Sequence, residues 1–348
     1  MRQFDDSRSP PDRRTVRAAL AEARRIARGV PNVVGIGVGW KHSARRSRGG
    51  FGVTRTRCVK FFVVEKESRP RYRLPRRFTF LSAGRRYSAR TDVVAAGEPA
   101  LHGSVPRATF GNGNLTARFS PGFLLTNPDA DEFFLVTAGH ALLWKNPKDS
   151  DDVHRRSADP CDFEIEGATG SIGCAEFDWS FPLVGTPPRR LDVGVVRLGR
   201  PGVRVFNREP WVSLTSIATA SELGKLDAAS PNARCSVFGI RHDDPVTAEL
   251  ETVELLGIGV LDESYAPDLI TTRSLTEDYA VGDSGGLVVD STLTKVLGIH
   301  IIGLNPGPKP DLESEIGVAL AGHTILAHAQ REAGVALRLP TRAELAGA

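Results

Sequence analysis

Gly282-Asp283-Ser284-Gly285-Gly286 runs straight into Leu287-Val288-Val289, joining a glycine-rich turn to a short apolar strand. Without Cβ atoms at Gly282, Gly285 and Gly286, the chain can turn sharply and aim backbone N–H groups at one spot. The same pattern, a short apolar run bounded by Gly, Pro, Asn or Asp, recurs on both sides of this stretch. Upstream it occupies residues 115–119, 122–125, 133–137, 171–174 and 192–198, then 235–240, 246–260 and 269–272. Downstream it occupies 296–302 and 317–320. Many short strands separated by turn signals predict a mostly-β chain, a sandwich or a pair of barrels. The periodic segment 323–333 predicts a short C-terminal helix.

The 348 residues suffice for one large or two medium domains, and 41% hydrophobic with 25% charged residues is a globular composition. No stretch approaches 18 consecutive apolar residues, and residues 1–30 hold eight arginines with no uninterrupted apolar core. These observations argue against a membrane-spanning helix and a signal peptide. Cys58, Cys161, Cys174 and Cys235 follow neither a disulfide nor a zinc pattern, so reduced thiols and a cytoplasmic location are expected. Asp149, Asp151, Asp152 and His154 lack the glycine and distal glutamate of a calcium loop, and neither metal nor cofactor is expected.

The net charge of +4 is a near-cancellation. Residues 1–90 carry 24 Lys/Arg against 6 Asp/Glu, whereas residues 91–348 carry 21 against 35. Opposed halves predict two organisational parts. Residues 1–14 read as a mobile tail. Residues 15–95 form a basic module: an amphipathic helix from Thr15 to Val30, then two β-runs, 33–40 and 58–65, flanking a polar hairpin tip. An arginine- and proline-rich connector, 69–77, follows. Arg45, Arg46, Arg48, Arg55 and Arg57 concentrate positive charge at the tip and are candidates for anion binding. An acidic protein, a nucleic acid or an acidic membrane surface could be the partner, or the basic surface could dock on the acidic remainder. Residues 100–205 and 206–335 then divide the two strand series between two β-domains, with 336–348 as a tail.

Three segments carry chemistry: Thr137-Ala138-Gly139-His140, Leu191-Asp192-Val193-Gly194, and the Ser284 turn. A serine hydroxyl is a poor nucleophile at neutral pH and needs a base within hydrogen-bonding reach. Histidine titrates in the range that lets it take that proton and return it to a leaving group. A buried carboxylate fixes the histidine tautomer and stabilises the imidazolium. Backbone N–H groups of a glycine-rich turn can form an oxyanion hole, each donor lowering the barrier by roughly 3–4 kcal/mol. Asp162 and Asp178 also lie between the histidine and the serine, but Asp192 begins an apolar run, which favours it.

TAGH, DVGV and GDSGG, in this order and spacing, resemble the catalytic segments of the trypsin-like (chymotrypsin-fold) serine peptidases. The resemblance covers about residues 100–335 and implies two six-stranded antiparallel β-barrels packed at right angles, with the site between them. It implies His140 as general base, Asp192 as its orienting carboxylate, Ser284 as nucleophile, and the N–H groups of Gly282 and Ser284 as the oxyanion hole. Asp278, six positions before the nucleophile, matches the base of the substrate pocket and would favour Lys or Arg; Gly303 matches the pocket wall. Ile301 departs from the family, which has a serine there supporting the triad carboxylate. Ala141 replaces the cysteine that usually follows the histidine. Asp283 matches the residue that pairs with a proteolytically created N-terminus; no such maturation is expected here, and an internal donor should serve instead. Val33–Lys41 and Thr91-Asp92-Val93-Val94 are similar to segments of bacterial trypsin-like proteins that open with a helix.

The sequence thus predicts a serine endopeptidase acting on protein or peptide through an acyl-enzyme on Ser284. A protease-fold scaffold with little turnover, recruited through the basic module, is the competing class. A narrow processing protease acting on one partner is a third.

Overall fold

The computed structural model describes residues 1–4, 11–28, 30–47, 50–67, 70–95, 99–101, 108–110, 120–139, 161–163, 174–175, 177–180, 193–204, 206–229, 233–239, 246–255, 269–275, 279, 283–304 and 316–348. Strand dominates. In the N-terminal part the strands are β1 (Arg2–Gln3), β2 (Val33–Ser47), β3 (Gly50–Val63), β4 (Arg77–Ser82), β5 (Arg85–Ala95) and β6 (Pro99–Leu101). The middle contributes β7 (Ala108–Phe110), β8 (Phe123–Thr126), β9 (Phe133–Thr137), β10 (Cys161–Phe163), β11 (Cys174–Ala175), β12 (Phe177–Ser180) and β13 (Gly194–Leu198). The C-terminal part holds β14 (Ser216–Ile217), β15 (Arg234–Phe238), β16 (Val246–Leu255), β17 (Leu269–Ser274), β18 (Leu287–Asp290), β19 (Lys295–Leu304) and β20 (Ile316–Ala321). Helices are α1 (Arg13–Ala27), α2 (Arg200–Arg204), α3 (Ala220–Ala229), α4 (Gly322–Ala333) and α5 (Arg342–Gly347).

The six strands β15 to β20 pair in a closed circuit, β16–β15–β18–β19–β20–β17 and back to β16. Closure follows from their composition. Val, Ile and Leu run through much of these strands, and the ring satisfies most of their edges; the stretches left over, in β16 and β19, take β2 and β6. Tyr279, Val237, Val288, Leu297 and Ala319 share one buried cluster; Leu287, Val289, Ile299, Val318 and Leu320 belong to another. The second cluster continues into Phe123, Phe134, Val136 and Val195 of a separate four-stranded sheet, β12–β13–β9–β8. A three-stranded sheet, β11–β10–β7, stands apart.

The basic module is continuous with the ring. Residues Gly35–Val38 of β2 pair antiparallel with Thr252–Leu255 of β16, so β1 to β5 extend the same sheet. Helix α1 begins at Asp12, whose side chain accepts from Thr15 N at 2.8 Å, and it buries Ala19, Ala23 and Ala27 at four-residue spacing. Small side chains there let the helix lie close over β2 and β4. The hairpin differs from the expected long polar tip, because both strands run on through it. β2 reaches Ser47 and β3 starts at Gly50, with Arg46 opposite Phe51. Threonines, valines and arginines with β-compatible alternation propagate the ladder once the hairpin has formed.

Both ends also differ from the expected tails where they are described. Arg2–Gln3 pair parallel with β5, and Phe4 is buried against Phe80. At the other end, Thr126 bridges Arg338, and α5 carries a capping box between Thr341 and Glu344. Leu345 is buried in a cluster with Leu124, Leu135 and Phe206. Burying large apolar residues offsets the entropy of ordering these short ends. The C-terminal helix expected over 323–333 is α4. Among the described residues no helix is long and apolar enough to cross a membrane.

Candidate functional site

Ser284 occupies a tight turn that leads into strand β18. Gly286 N donates to Asp283 O at 2.8 Å, closing a four-residue turn with Ser284 and Gly285 at its centre. Gly285 has φ +89°, the left-handed value that the third position of a type II turn demands. Only glycine fits there on a second count: a Cβ would collide with Thr137 Oγ1 and Ser120 O. The turn is clamped from both sides. Ser120 N donates to Ser284 O at 2.9 Å, and Thr137 Oγ1 donates to Ser120 O at 3.0 Å. On the other side Gly285 N donates to His300 O, and His300 N donates to Gly286 O, both at 2.8 Å.

Gly122, just before β8, is held close to the ring and to Trp211. A Cβ at Gly122 would lie 2.8 Å from Ile299 Cγ2 and 3.0 Å from Gly285 O. Trp211 Nε1 donates to Gly122 O at 2.7 Å. The backbone of Gly122 therefore packs directly on the ring.

Ser284 is 0% exposed, and its hydroxyl donates to Ile301 O at 3.4 Å, well beyond the usual O–H···O range. Ile301 is buried in the apolar core. Asp283, 1% exposed, sets its carboxylate against the backbone of Gly239. Below the turn, His300 stacks on Tyr279 with ring centroids 4.6 Å apart, and Tyr279 donates to Thr272 Oγ1 at 2.7 Å. Burial, chiefly, holds the Tyr279 phenol well above its ordinary pKa, with Cys235 and Asp283 adding to the effect. Burial also pushes the Cys235 thiol up to about 12, so it is an inert core thiol.

His140, Asp192, Asp278, Gly282 and Arg48 lie outside the described residues. Their chain neighbours do not. β9 and β13 pair antiparallel with Thr137 opposite Gly194. Thr137 precedes His140 by three residues, and Gly194 follows Asp192 by two. The described approaches to the histidine and to the aspartate thus share one end of the β9–β13 pair, and Thr137 at that end packs on the Ser284 turn. Gly303 is buried in β19, with Gly317 opposite on one edge and Ala100 on the other.

Of the five candidate anion-binding arginines, Arg45 and Arg46 belong to β2, and Arg55 and Arg57 to β3. Arg57 points inward instead of to solvent. Its guanidinium is buried, forms an ion pair with Asp227 of α3 and lies 5.0 Å over the Trp40 ring. Trp40 Nε1 donates to Asp227 O at 3.0 Å. This arrangement withdraws Arg57 from any surface anion site. Residues 57–63 of β3 are all buried, so Arg57 enters the interior where the strand does.

Residues that the sequence did not single out also shape the site. Ser120 and Gly122 hold the Ser284 turn, yet lie in no motif; a serine and a glycine just before an apolar run carry no local signal of a contact more than 150 residues away. No protein-family model and no curated protein matches this chain.

Proposed function

We propose that the chain is a serine endopeptidase that cleaves peptide bonds through an acyl-enzyme on Ser284. One observation carries the reading. The chain leading to His140 and the chain leaving Asp192 are hydrogen-bonded neighbours at Thr137 and Gly194, and Thr137 abuts the turn that bears Ser284. A serine, a histidine and an aspartate brought in on three such strand ends are what acyl transfer requires. In this reading the closed circuit β15–β20 is one six-stranded barrel, and the four- and three-stranded sheets belong to the other.

The mechanism follows from the residue types. His140 takes the Ser284 proton as the hydroxyl attacks the peptide carbonyl, then gives it to the leaving amine; Asp192 holds the imidazole. The N–H groups of Gly282 and Ser284 receive the oxyanion, held steady by the turn that Gly285 makes possible. Water, activated by the same histidine, releases the acyl group. Asp278 would select Lys or Arg by charge pairing. The enzyme would act in the cytoplasm, with its arginine-rich module available to an acidic protein or nucleic-acid partner.

A second reading, a protease-fold scaffold with little turnover, is favoured by the complete burial of Ser284 and by Ile301 in place of a polar support. A fluorophosphonate probe separates the two. Covalent labelling that disappears in Ser284→Ala and falls at least a hundredfold in His140→Ala is the outcome expected of the peptidase. Absence of labelling at Ser284, even after the strand discussed below is displaced, would leave the scaffold.

A further inference from the structure

Strand β19 has two hydrogen-bonding edges. Along one, Gly298 to Leu304 pair with β20. Along the other, Val296 to Ile299 pair with β18, and His300 then exchanges two backbone bonds with Gly285 and Gly286 of the Ser284 turn. Ile302, Gly303 and Leu304 continue that second edge, since β20 already takes their first. They are not open to solvent peptide. β6 lies along them antiparallel, with Leu101 opposite Ile302, Ala100 opposite Gly303 and Pro99 opposite Leu304.

This edge begins one residue beyond Ile301, whose carbonyl receives the Ser284 hydroxyl. An extended peptide whose bond is to reach Ser284 has this edge to add to, in the way peptides commonly join exposed sheet edges. The register also fixes direction. From Pro99 to Leu101 the chain advances from Leu304 toward Ile302, that is, toward the serine. β6 therefore holds the place, and runs in the sense, of a peptide whose C-terminal end faces the nucleophile.

We propose that residues 99–101 are a built-in occupant of the substrate edge, which keeps the site closed until they are displaced. The inference rests on the peptidase reading of Ser284. The hold is short and weak by design of its sequence: three residues, the first a proline that can donate no backbone hydrogen bond. What strengthens it is tethering. β6 follows β5 by only three intervening residues, and β5 is anchored parallel to β3 within the basic module. A tethered strand competes at an effective concentration on the order of millimolar. Free peptide must exceed that, or the module must shift, before the edge opens.

The test uses the full chain with Ala100→Pro and Leu101→Pro combined. Of two adjacent strand N–H groups one faces the neighbouring strand, so the pair of prolines removes that bond whichever residue supplies it. A second protein, with residues 98–101 replaced by Gly-Ser-Gly-Ser, serves if the proline protein does not fold. Binding of a fluorescent peptide with the sequence of residues 97–103 decides the inference. It is expected to bind the opened protein at least about tenfold more tightly than the parent, the margin a millimolar competitor imposes. Equal binding to both, or binding to neither, overturns it. Fluorophosphonate labelling decides the reading beneath it, with Ser284 expected to label at least about tenfold faster in the opened protein. Peptide binding confined to the opened protein, without labelling of Ser284, would keep the occupied edge and discard the peptidase.

Discussion

Two regions join the closed circuit of strands in different ways. The basic module is welded to it by a backbone ladder, β2 on β16, reinforced by one buried ion pair between Arg57 and Asp227. The four-stranded sheet is clamped to it by turns and single atoms: Ser120 on Ser284, Thr137 on Gly285, and the bare backbone of Gly122 on Ile299. A ladder depends on main-chain groups that every residue but proline supplies, so it tolerates sequence change. A clamp depends on particular side chains and on the absence of others. At the clamp the four-stranded sheet and the ring both end against one turn.

Breaking the clamp should have the widest effect, on stability and on labelling of Ser284 at once. Gly285→Ala forces an alanine into left-handed backbone and drives its methyl into Thr137 and Ser120. A loss of about 2–5 kcal/mol in unfolding free energy is expected, together with all labelling at Ser284. Denaturant melts of the two proteins, paired with the fluorophosphonate probe, check it. An unchanged midpoint would mean that the two sheets are not joined there.

The weld should respond to charge more than to shape. Asp227→Ala leaves the Arg57 guanidinium buried without its carboxylate, and a cost of about 3–5 kcal/mol is expected. Combining Asp227→Ala with Arg57→Met should recover most of it, since a buried pair is often replaceable by apolar residues. Failure of the double variant to recover stability would show that the ring stacking of Arg57 on Trp40 matters more than the ion pair.

The smallest effect belongs to the C-terminal bracket under the four-stranded sheet. Arg338 makes two hydrogen bonds to the Glu344 carboxylate, at 2.7 and 2.8 Å, and with Thr341 holds its pKa down at about 2. A carboxyl lowered on folding stabilises the folded state fully above its unfolded value and loses that contribution as pH falls toward the folded one. The melting temperature of the parent should exceed that of Glu344→Gln above pH 5, with the gap closing as pH falls through about 2. Because the pair is partly exposed, the gap should be worth only roughly 0.2–1 kcal/mol. A gap that does not narrow between pH 5 and pH 2 would mean that the pair's charge is not its source.

The strands of the clamp were the most legible part of the chain. The run 133–137 is β9 residue for residue, and 287–289 and 296–302 fall inside β18 and β19. These strands are buried on both faces, so they read as unbroken apolar runs. The β4–β5 hairpin begins where the expected connector 69–77 ends, and its first strand was not legible. Arg77-Phe78-Thr79-Phe80-Leu81-Ser82 buries every second residue, but Leu81 is exposed and Ser82 buried, which breaks the apolar–polar alternation, and arginines flank the segment. Helix α3 was missed because its apolar residues form no strong stripe. As for the candidate site, the motif around Ser284 announced a turn, and the turn is there. The occupant of the β19 edge could not be foreseen, since three residues without periodicity say nothing of a partner two hundred positions away.

That long reach has a counterpart in time. The outer edge of β2 is satisfied only by Thr252–Leu255, on the order of 215 residues later in the chain. On a ribosome adding about 5–20 residues per second, the hairpin emerges and then waits for about 10–40 s with one edge bare. An unpaired edge on a nascent chain invites the neighbouring polysome product to pair with it. The arginines that stud residues 1–90 put like charge on every copy, so nascent hairpins repel one another through that interval. The surplus of positive charge can therefore serve the chain before it is complete, whatever it binds afterwards.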